Sequence, residues 1–387
     1  MPSYKQLSKG NWKVSISLGY KDGKKQIHRK QGFKTKKEAE IYATEILNKK
    51  NKGYVAPSGS SNIIFKDFII KWFTEYKSKT IGINTYSRYK SSLDKYIIPN
   101  LGSYKLIELN NVIIQDFYNE LICTGQKPST AKKTLEVLNN CLKYAKNLKL
   151  IYNLPTDIEK IKIVKPIIEY WNEEELSYFL NQIKSHYLYK PVLISVLTGV
   201  RIGELCGIQW KDINFEKGTI SINGQVLFNK NSKELIYTSI LKTDTAYRII
   251  SIPKILIDYL KHIKDNICPA DNDFVVLNRN GSMCTPKNLS ENFSKVVCKY
   301  KKSIDEIIQE GKKVPSNYMQ LKQISFHGLR HTHATLLILN GDNIKSVSER
   351  LGHKDITTTL NTYTHVMEEM KENTAALLQN IFTQIIQ

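Results

Sequence analysis

Apolar and polar residues alternate along Trp12–Gly19 (WKVSISLG), which predicts a strand. Lys21-Asp22-Gly23-Lys24 has hairpin-turn composition, and Lys25–Phe33 (KQIHRKQGF) reads as the returning strand. Thr35 then caps a helix that runs through Ala39, Tyr42, Ala43 and Ile46 towards Lys50. Residues 55–62 have linker composition. From Ile63 the apolar period becomes helical. Phe65, Phe68, Ile69, Trp72, Phe73 and Tyr76 share one stripe, and a helix opened by Asn84 carries Tyr86, Tyr89, Leu93 and Tyr96 until Pro99 and Gly102 end it. Two more helices follow, Val112–Cys123 and, capped by Ser129, Thr130–Leu148. Aromatic stripes at this spacing predict core rather than base-stacking platforms.

A short basic connection, Lys160–Pro166, leads to a third region starting near Ile167. Asn172 with Glu175 forms a capping-box start for a helix reaching about Lys184, and Pro191–Leu197 is a second apolar helix. Thr219–Ile222, Glu234–Leu241 and Tyr247–Ile252 predict one small antiparallel sheet, and Asp273–Leu277 (DFVVL) is a further extended piece. The pattern is then helical: His327–Asn340, ended by Gly341, and Ile344–Leu351. A terminal helix carries Leu377, Leu378, Ile381, Phe382 and Ile385 on one face, able to pack on its own domain or on a neighbouring copy. The fold class expected is multidomain and mainly α with small β-sheets, divided into residues 1–54, a linker at 55–62, residues 63–160, and residues 167–387.

Charge narrows the partner. The 387 residues include 57 Lys and Arg against 36 Asp and Glu, a net +21 with a pI near 9.4, which favours a polyanion. The first 54 residues hold 14 basic and 4 acidic side chains, so +10 of that excess sits in about a seventh of the chain. No apolar run of membrane-spanning length and no signal-peptide core is present, which predicts a soluble, cytoplasmic protein with no membrane partner. Cys123, Cys141, Cys206, Cys268, Cys284 and Cys298 are widely spaced without a C-x-x-C pair, as expected of reduced thiols.

The candidate chemistry is concentrated in Ser325–His365, which contains His327, Arg330, His331, His333, His353, Tyr363 and His365. His327 and Arg330, three apart on a helix, share a face. A phosphodiester attacked by a tyrosine oxygen spreads negative charge over its non-bridging oxygens, and the arginine fork matches two of these at once. Such a site needs a second arginine, and Arg201 in TGVRIGEL, placed at a helix start by a turn at Gly199, supplies it. Histidines can donate to a phosphate oxygen or take the tyrosine proton, and Lys242 in LKTDTAYRIISIP is placed to protonate a leaving oxygen.

R-x-G-E-L at Arg201, K-T at Lys242, H-x-L-R at His327–Arg330, L-G-H at His353 and T-Y-T-H at Tyr363 resemble, in this order, the tyrosine recombinase (phage-type integrase) family. The resemblance implies that Arg201 and Arg330 clamp the scissile phosphate and that Lys242 is the general acid. By the same resemblance His327 and His353 assist proton transfer and charge stabilisation, and Tyr363 forms a 3′-phosphotyrosyl link. It implies no cofactor and no metal. The first region resembles the arm-binding domains of conjugative-transposon integrases, which lay a three-stranded sheet in the major groove, and the second the helical core-binding domain, with Lys77, Lys79, Arg88, Lys90, Lys132 and Lys133 facing DNA. Implied partners are double-stranded DNA at core and arm sites, further copies of the chain (two per site, four in synapsis), and an accessory DNA-bending or excision factor. Two other readings compete. Zinc would want ligands of fixed spacing with carboxylate or thiolate support, and a helix-turn-helix regulator around Asn340-Gly341 would leave Arg201, Lys242 and Tyr363 without a use.

Overall fold

The computed structural model describes residues 2–21, 24–51, 62–151, 153–155, 157–163, 168–229, 232, 234–241, 246–364, 379, 382 and 383. The chain divides into two compact units, Met1–Lys165 and Pro166–Gln387. Lys242, His365 and most of the expected terminal helix lie outside the described residues. Among the described residues no helix is long and apolar enough to cross a membrane.

The N-terminal module is an antiparallel sheet in the order β1 (Ser3–Ser8), β2 (Asn11–Lys21), β3 (Lys24–Phe33), followed by α1 (Lys36–Asn51). Alternation along β2 turns Val14 and Ile16 inward against Ala39 and Ala43 of α1, and the Thr35 hydroxyl caps that helix by accepting from the Glu38 amide at 3.2 Å. Strand register aligns Lys5 with Lys13 and Gln31, and Ser15 with Arg29, on the other face. Not every basic residue joins them. Lys30, paired with the inward Val14, leans over the Tyr42 ring at 4.4 Å.

The helical region comprises α2 (Phe65–Lys71), which continues through a π-helical turn at Trp72–Tyr76, α3 (Ile83–Ser92), a second π turn at Leu93–Ile97, α4 (Ile98–Leu101), α5 (Asn111–Cys123) and α6 (Pro128–Asn147). Phe65, Ile69, Trp72, Phe73, Tyr89 and Leu93 are buried as the stripes predict, whereas Tyr76 is exposed and meets Tyr144 in a tilted ring contact with centroids 5.0 Å apart. Pro99 does not end its helix. The π turn has already interrupted the hydrogen-bond ladder, so the missing N–H is tolerated in the first turn of α4. Nor is Ser129 the cap of α6, because Pro128, with its preset φ, starts the helix after Lys127. Of the six cations expected to face DNA, Lys79, Lys90, Lys132 and Lys133 are exposed. Arg88 instead pairs with Glu136 at 3.6 Å, and Lys77 lies over the Tyr89 ring. The connection is pinned to α5 by a bond from the Glu159 amide to Gln115 Oε1 (2.7 Å) and one from the Ile161 amide to the Tyr118 hydroxyl (3.0 Å).

The second unit opens with the predicted capping box, Asn172 and Glu175 each bonding the other's backbone N–H, on α7 (Glu173–Gln182). α8 (Tyr189–Thr198) and α9 (Ile202–Gly207) follow, and then the strands β4 (Ile213–Asn214), β5 (Thr219–Ile222), β6 (Gln225–Asn229), β7 (Glu234–Thr238) and β8 (Arg248–Ser251). These do not form the single sheet expected. β5 pairs with β4 and β8, while β7 pairs with β6, a strand the alternation had not shown. At Gly224, between β5 and β6, an added Cβ would come within 2.6 Å of the Tyr237 ring, so this close approach needs glycine. Asp273–Leu277 contributes only isolated bridges, Gln209 to Phe274 and Leu277 to Met283. The helices α10 (Lys254–Ile267), α11 (Pro286–Val297), α12 (Ile304–Gln309), α13 (Phe326–Leu339), α14 (Ile344–Leu351) and α15 (Ile356–Thr362) complete the unit. Trp171, Phe179, Phe293 and Phe326 form the aromatic centre of its core, and α13 lies along α8.

Candidate active site

The site is built where the C-termini of α8 and α14 meet α13. α8 is apolar on nearly every face and therefore buried, and it ends at Gly199 in the left-handed region (φ 68°). An added Cβ at Gly199 would also lie 2.5 Å from the His333 ring and 2.9 Å from Leu351, so both conformation and space demand glycine. The turn that results sets Arg201 as the N-cap residue of α9, as predicted, with its guanidinium partly exposed.

Arginines converge on the last carbonyls of α14. Arg248 Nε donates to Arg350 O at 2.7 Å, Arg330 Nη2 to Leu351 O at 2.7 Å, and Arg201 Nη2 to Gly352 O at 3.1 Å. These three successive carbonyls carry the partial negative charge of a helix end, which the three guanidinium groups satisfy. Arg330 is 2 % exposed and also donates through Nη1 to Gly199 O at 2.7 Å, tying α13 to both helix ends. Burial, and then the charge of Arg201, lower its pKa to about 9, which leaves it charged at neutral pH. Glu204 lies between Arg201 Nη1 (2.8 Å) and Arg248 Nη2 (2.9 Å). Its side chain is 4 % exposed, so this pairing is a buried support and not a helix-surface ion pair. Beneath these groups Arg350 bonds His333 Nε2 (3.1 Å), Ser251 O and Leu197 O, and His333 Nδ1 bonds Val196 O at 2.6 Å. Burial and the neighbouring arginine push His333 down to about 3, so it stays neutral.

His353 Nε2 lies 2.9 Å from Arg330 Nη2, and its Nδ1 lies 2.8 Å from Thr359 Oγ1. Since arginine can only donate, Nε2 accepts and Nδ1 carries the proton. Burial and the surrounding arginines lower His353 to about 4. His327 is exposed at the surface, yet partial desolvation and the charges of Arg330 and Arg201 lower its pKa as well. Tyr363 is 1 % exposed, with its ring among Ala334, Ile338, Val347 and Leu351 and its hydroxyl 3.0 Å from His331 Nδ1. Burial pushes the phenol up to about 12, against the lowering effect of Arg330.

Of the expected site residues, Arg201, Arg330 and His353 are linked directly or through the end of α14, and Tyr363 packs beside them. His327 stands one step away, its ring edge-on to His331 with centroids 4.9 Å apart. Lys242 falls outside the described residues; its flanks are held by the Tyr247 hydroxyl, which accepts from the Leu241 amide at 3.2 Å and donates to Ser239 O. The sequence gives no role to Arg248 or Arg350, and it places His331 among the candidate histidines without a particular role. Glu204 was visible in R-x-G-E-L, but its burial was not. Among the described residues no three His, Cys, Asp or Glu side chains gather as a metal site would require.

Glu204 yields a pH prediction. Burial alone would raise its carboxyl pKa, but Arg248 and then Arg201 outweigh burial and hold it below the ordinary value. A depressed folded pKa contributes stability that is complete above the unfolded carboxylate pKa and lost as pH falls through the folded one. Thermal melts of the native chain should therefore drop steeply below about pH 4.5. In Glu204→Gln that acid limb should flatten, with a loss of about 3 kcal/mol at neutral pH from the stranded arginines. An unchanged acid limb would show that Glu204 is not the group responsible.

A cationic floor beside a phenol suits transfer of a phosphoryl group from one oxygen to another, and together with this helical fold it defines the class of the tyrosine DNA recombinases. The chain belongs to the phage integrase family, whose model matches residues 169–370. A phage integrase N-terminal SAM-like domain matches residues 64–122, and an arm DNA-binding domain matches residues 2–50. It is a site-specific recombinase of mobile elements that cuts and rejoins DNA. The chain is similar to a tyrosine recombinase XerC-like protein of Caldanaerobacter subterraneus subsp. tengcongensis, at 27 % identity over 98 % of each chain. It is also similar to the ICEBs1 integrase of Bacillus subtilis, at 24 % identity over 98 % of this chain and 100 % of that one. In fold it resembles the Tn1549 transposon integrase in complex with transposon right-end DNA (TM-score 0.66, 22 % identity, 81 % of this chain and 100 % of that chain). A lambda integrase tetramer bound to a Holliday junction also matches (TM-score 0.55, 17 % identity, 92 % and 96 %). Membership in this family sets the regulator reading aside.

Proposed function

We propose that Arg201 and Arg330 bind the scissile phosphate, that Tyr363 attacks it to give a 3′-phosphotyrosyl link, and that Lys242 protonates the leaving 5′ oxygen. In this reading His327 and His353 assist proton transfer and stabilise the charge that develops. The observation that carries it is the meeting of Arg201 from α9 and Arg330 from α13 at the end of α14, where His353 follows and bonds Arg330, beside the buried phenol. A phosphotyrosyl bond conserves the energy of the phosphodiester, so no cofactor and no ATP enter. Residues 1–54 serve as the arm-binding domain, 63–160 as the core-binding domain and 167–387 as the catalytic domain. The chain acts in the bacterial cytoplasm on core and arm DNA, two copies per site and four in synapsis, with an accessory DNA-bending or excision factor. The exposed Lys79, Lys90, Lys132 and Lys133 support phosphate contact by the helical region, and the lambda integrase tetramer on its junction is a precedent for the assembly.

The fixed cations supply the positive charge that divalent ions provide in nucleases, so cleavage needs no metal. On a nicked suicide duplex, covalent adduct formation should persist in EDTA at an undiminished rate. Loss of the adduct in EDTA, restored by magnesium or zinc, would overturn this reading in favour of a metal-dependent nuclease.

A further inference from the structure

We propose that His331 takes the proton from the Tyr363 hydroxyl as cleavage begins, an inference that rests on Tyr363 being the nucleophile. His331 Nδ1 lies 3.0 Å from the phenol oxygen, with the two rings at 62° and their centroids 5.8 Å apart. With Tyr363 1 % exposed, bulk water is not at hand to receive the proton. The other groups of the site are unsuited to it. Arg330 is charged and only donates. His353 has both ring nitrogens engaged, with Arg330 and with Thr359. His327 contacts the edge of His331 rather than the phenol. The residues clustered with the Tyr363 ring from α13 and α14, Ala334, Ile338, Val347 and Leu351, are apolar. Among the described residues, His327 contacts His331 edge-on and the charge of Arg330 acts on the phenol.

A base is needed here. The phenol is pushed up to about 12, so only about one molecule in 10⁵ would be phenolate at pH 7 without one. In the step proposed, the O–H bond of Tyr363 breaks and its proton passes to His331 Nδ1, giving an imidazolium. The phenol oxygen's electron pair forms the bond to phosphorus. The bond from phosphorus to the 5′ oxygen breaks, and that oxygen takes a proton from the general acid, Lys242 in the reading above. On rejoining, the 5′ hydroxyl returns its proton to the acid and the imidazolium returns its own to the phenol. His331 is half-buried and its neighbour His327 is exposed, so the transient charge sits towards solvent and not in the apolar cluster.

The test uses the full chain and a nicked suicide duplex carrying the sequence recovered from wild-type adducts. H331N places an amide near the position of Nδ1, able to bond the phenol but not to accept its proton. Single-turnover adduct formation should fall about 10²- to 10⁴-fold while duplex affinity is unchanged. A fluorinated tyrosine at position 363, with a far more acidic phenol, should restore most of the rate in H331N and add little in the native background. An H331N rate equal to or above the native rate overturns the proposal, and so does a slowed H331N that the fluorinated tyrosine fails to rescue. If H331N does not fold, the fluorinated tyrosine in the native chain decides: a rise matching the full gain in acidity means that no base acts and overturns the proposal, whereas a small rise upholds it. An adduct that survives Y363F would instead refute Tyr363 as nucleophile, which keeps the two failures distinct.

Discussion

Tyr363→Phe should abolish the covalent protein–DNA adduct while leaving DNA binding and folding almost intact. Phenylalanine retains the ring that fills the space among Ala334, Ile338, Val347 and Leu351. What it loses is the hydroxyl and one hydrogen bond to His331. That bond is worth about 1 kcal/mol net, small against the stability of a domain, so melting should shift by a few degrees at most. In the proposed reaction the nucleophile is lost outright, and of the described neighbours neither His331 nor Thr359 replaces it. His331 has no path to a stable diester, and Thr359 is buried with its hydroxyl at 2.8 Å from His353. A shifted band on a denaturing gel, present for the native chain and absent for the variant at equal duplex affinity, is the expected result. A band that persists would remove Tyr363 from the mechanism.

Arg330→Lys should be nearly as damaging despite conserving charge. The guanidinium reaches Gly199 O, Leu351 O and His353 Nε2 at once, across segments 131, 21 and 23 residues away in sequence. An ammonium is a point charge on a flexible stem and cannot hold this fork or present a planar pair of donors to a phosphate. Loss of one oriented donor of this kind typically costs about 10²–10³ in rate, and here two are lost together with the placement of His353, so roughly 10³-fold or more is expected for cleavage. A buried carbonyl left unpartnered should lower stability by about 1–3 kcal/mol. Single-turnover adduct formation and a thermal melt measure the two effects separately. A lysine variant that cleaves within tenfold of native would show that charge alone, and not the fork, is used.

The sequence by itself determined much of the local structure and the identity of the chemistry. Thr35, Asn172 with Glu175, and Gly199 announce their caps and turns because capping depends on neighbours within a few residues. The period of two in β2 and the helical stripes of α2 and α3 predict which side chains are buried, since each pattern is fixed by backbone geometry. The order of Arg201, Lys242, His327, Arg330, His353 and Tyr363 is legible as a motif series without coordinates.

Only the tertiary structure decided how those residues meet. Three carbonyls at the end of α14 take arginines from α9, β8 and α13, and no pattern within one segment encodes partners more than a hundred residues away, as with Arg201 and Gly352. The i, i+3 spacing of Arg201 and Glu204 is the same on either face of a helix; Arg248, 44 residues on, completes a buried pairing that this spacing does not encode. β7 pairs with β6 while β8 pairs with β5, a choice of partners that strand propensity does not report. His327 and His331 lie one helical turn apart and share a face, so the motif favoured the first. α15 packs on α14, and burial of the Tyr363 ring among residues of α13 and α14 brings the phenol to the second, which the spacing of histidines along the chain does not encode.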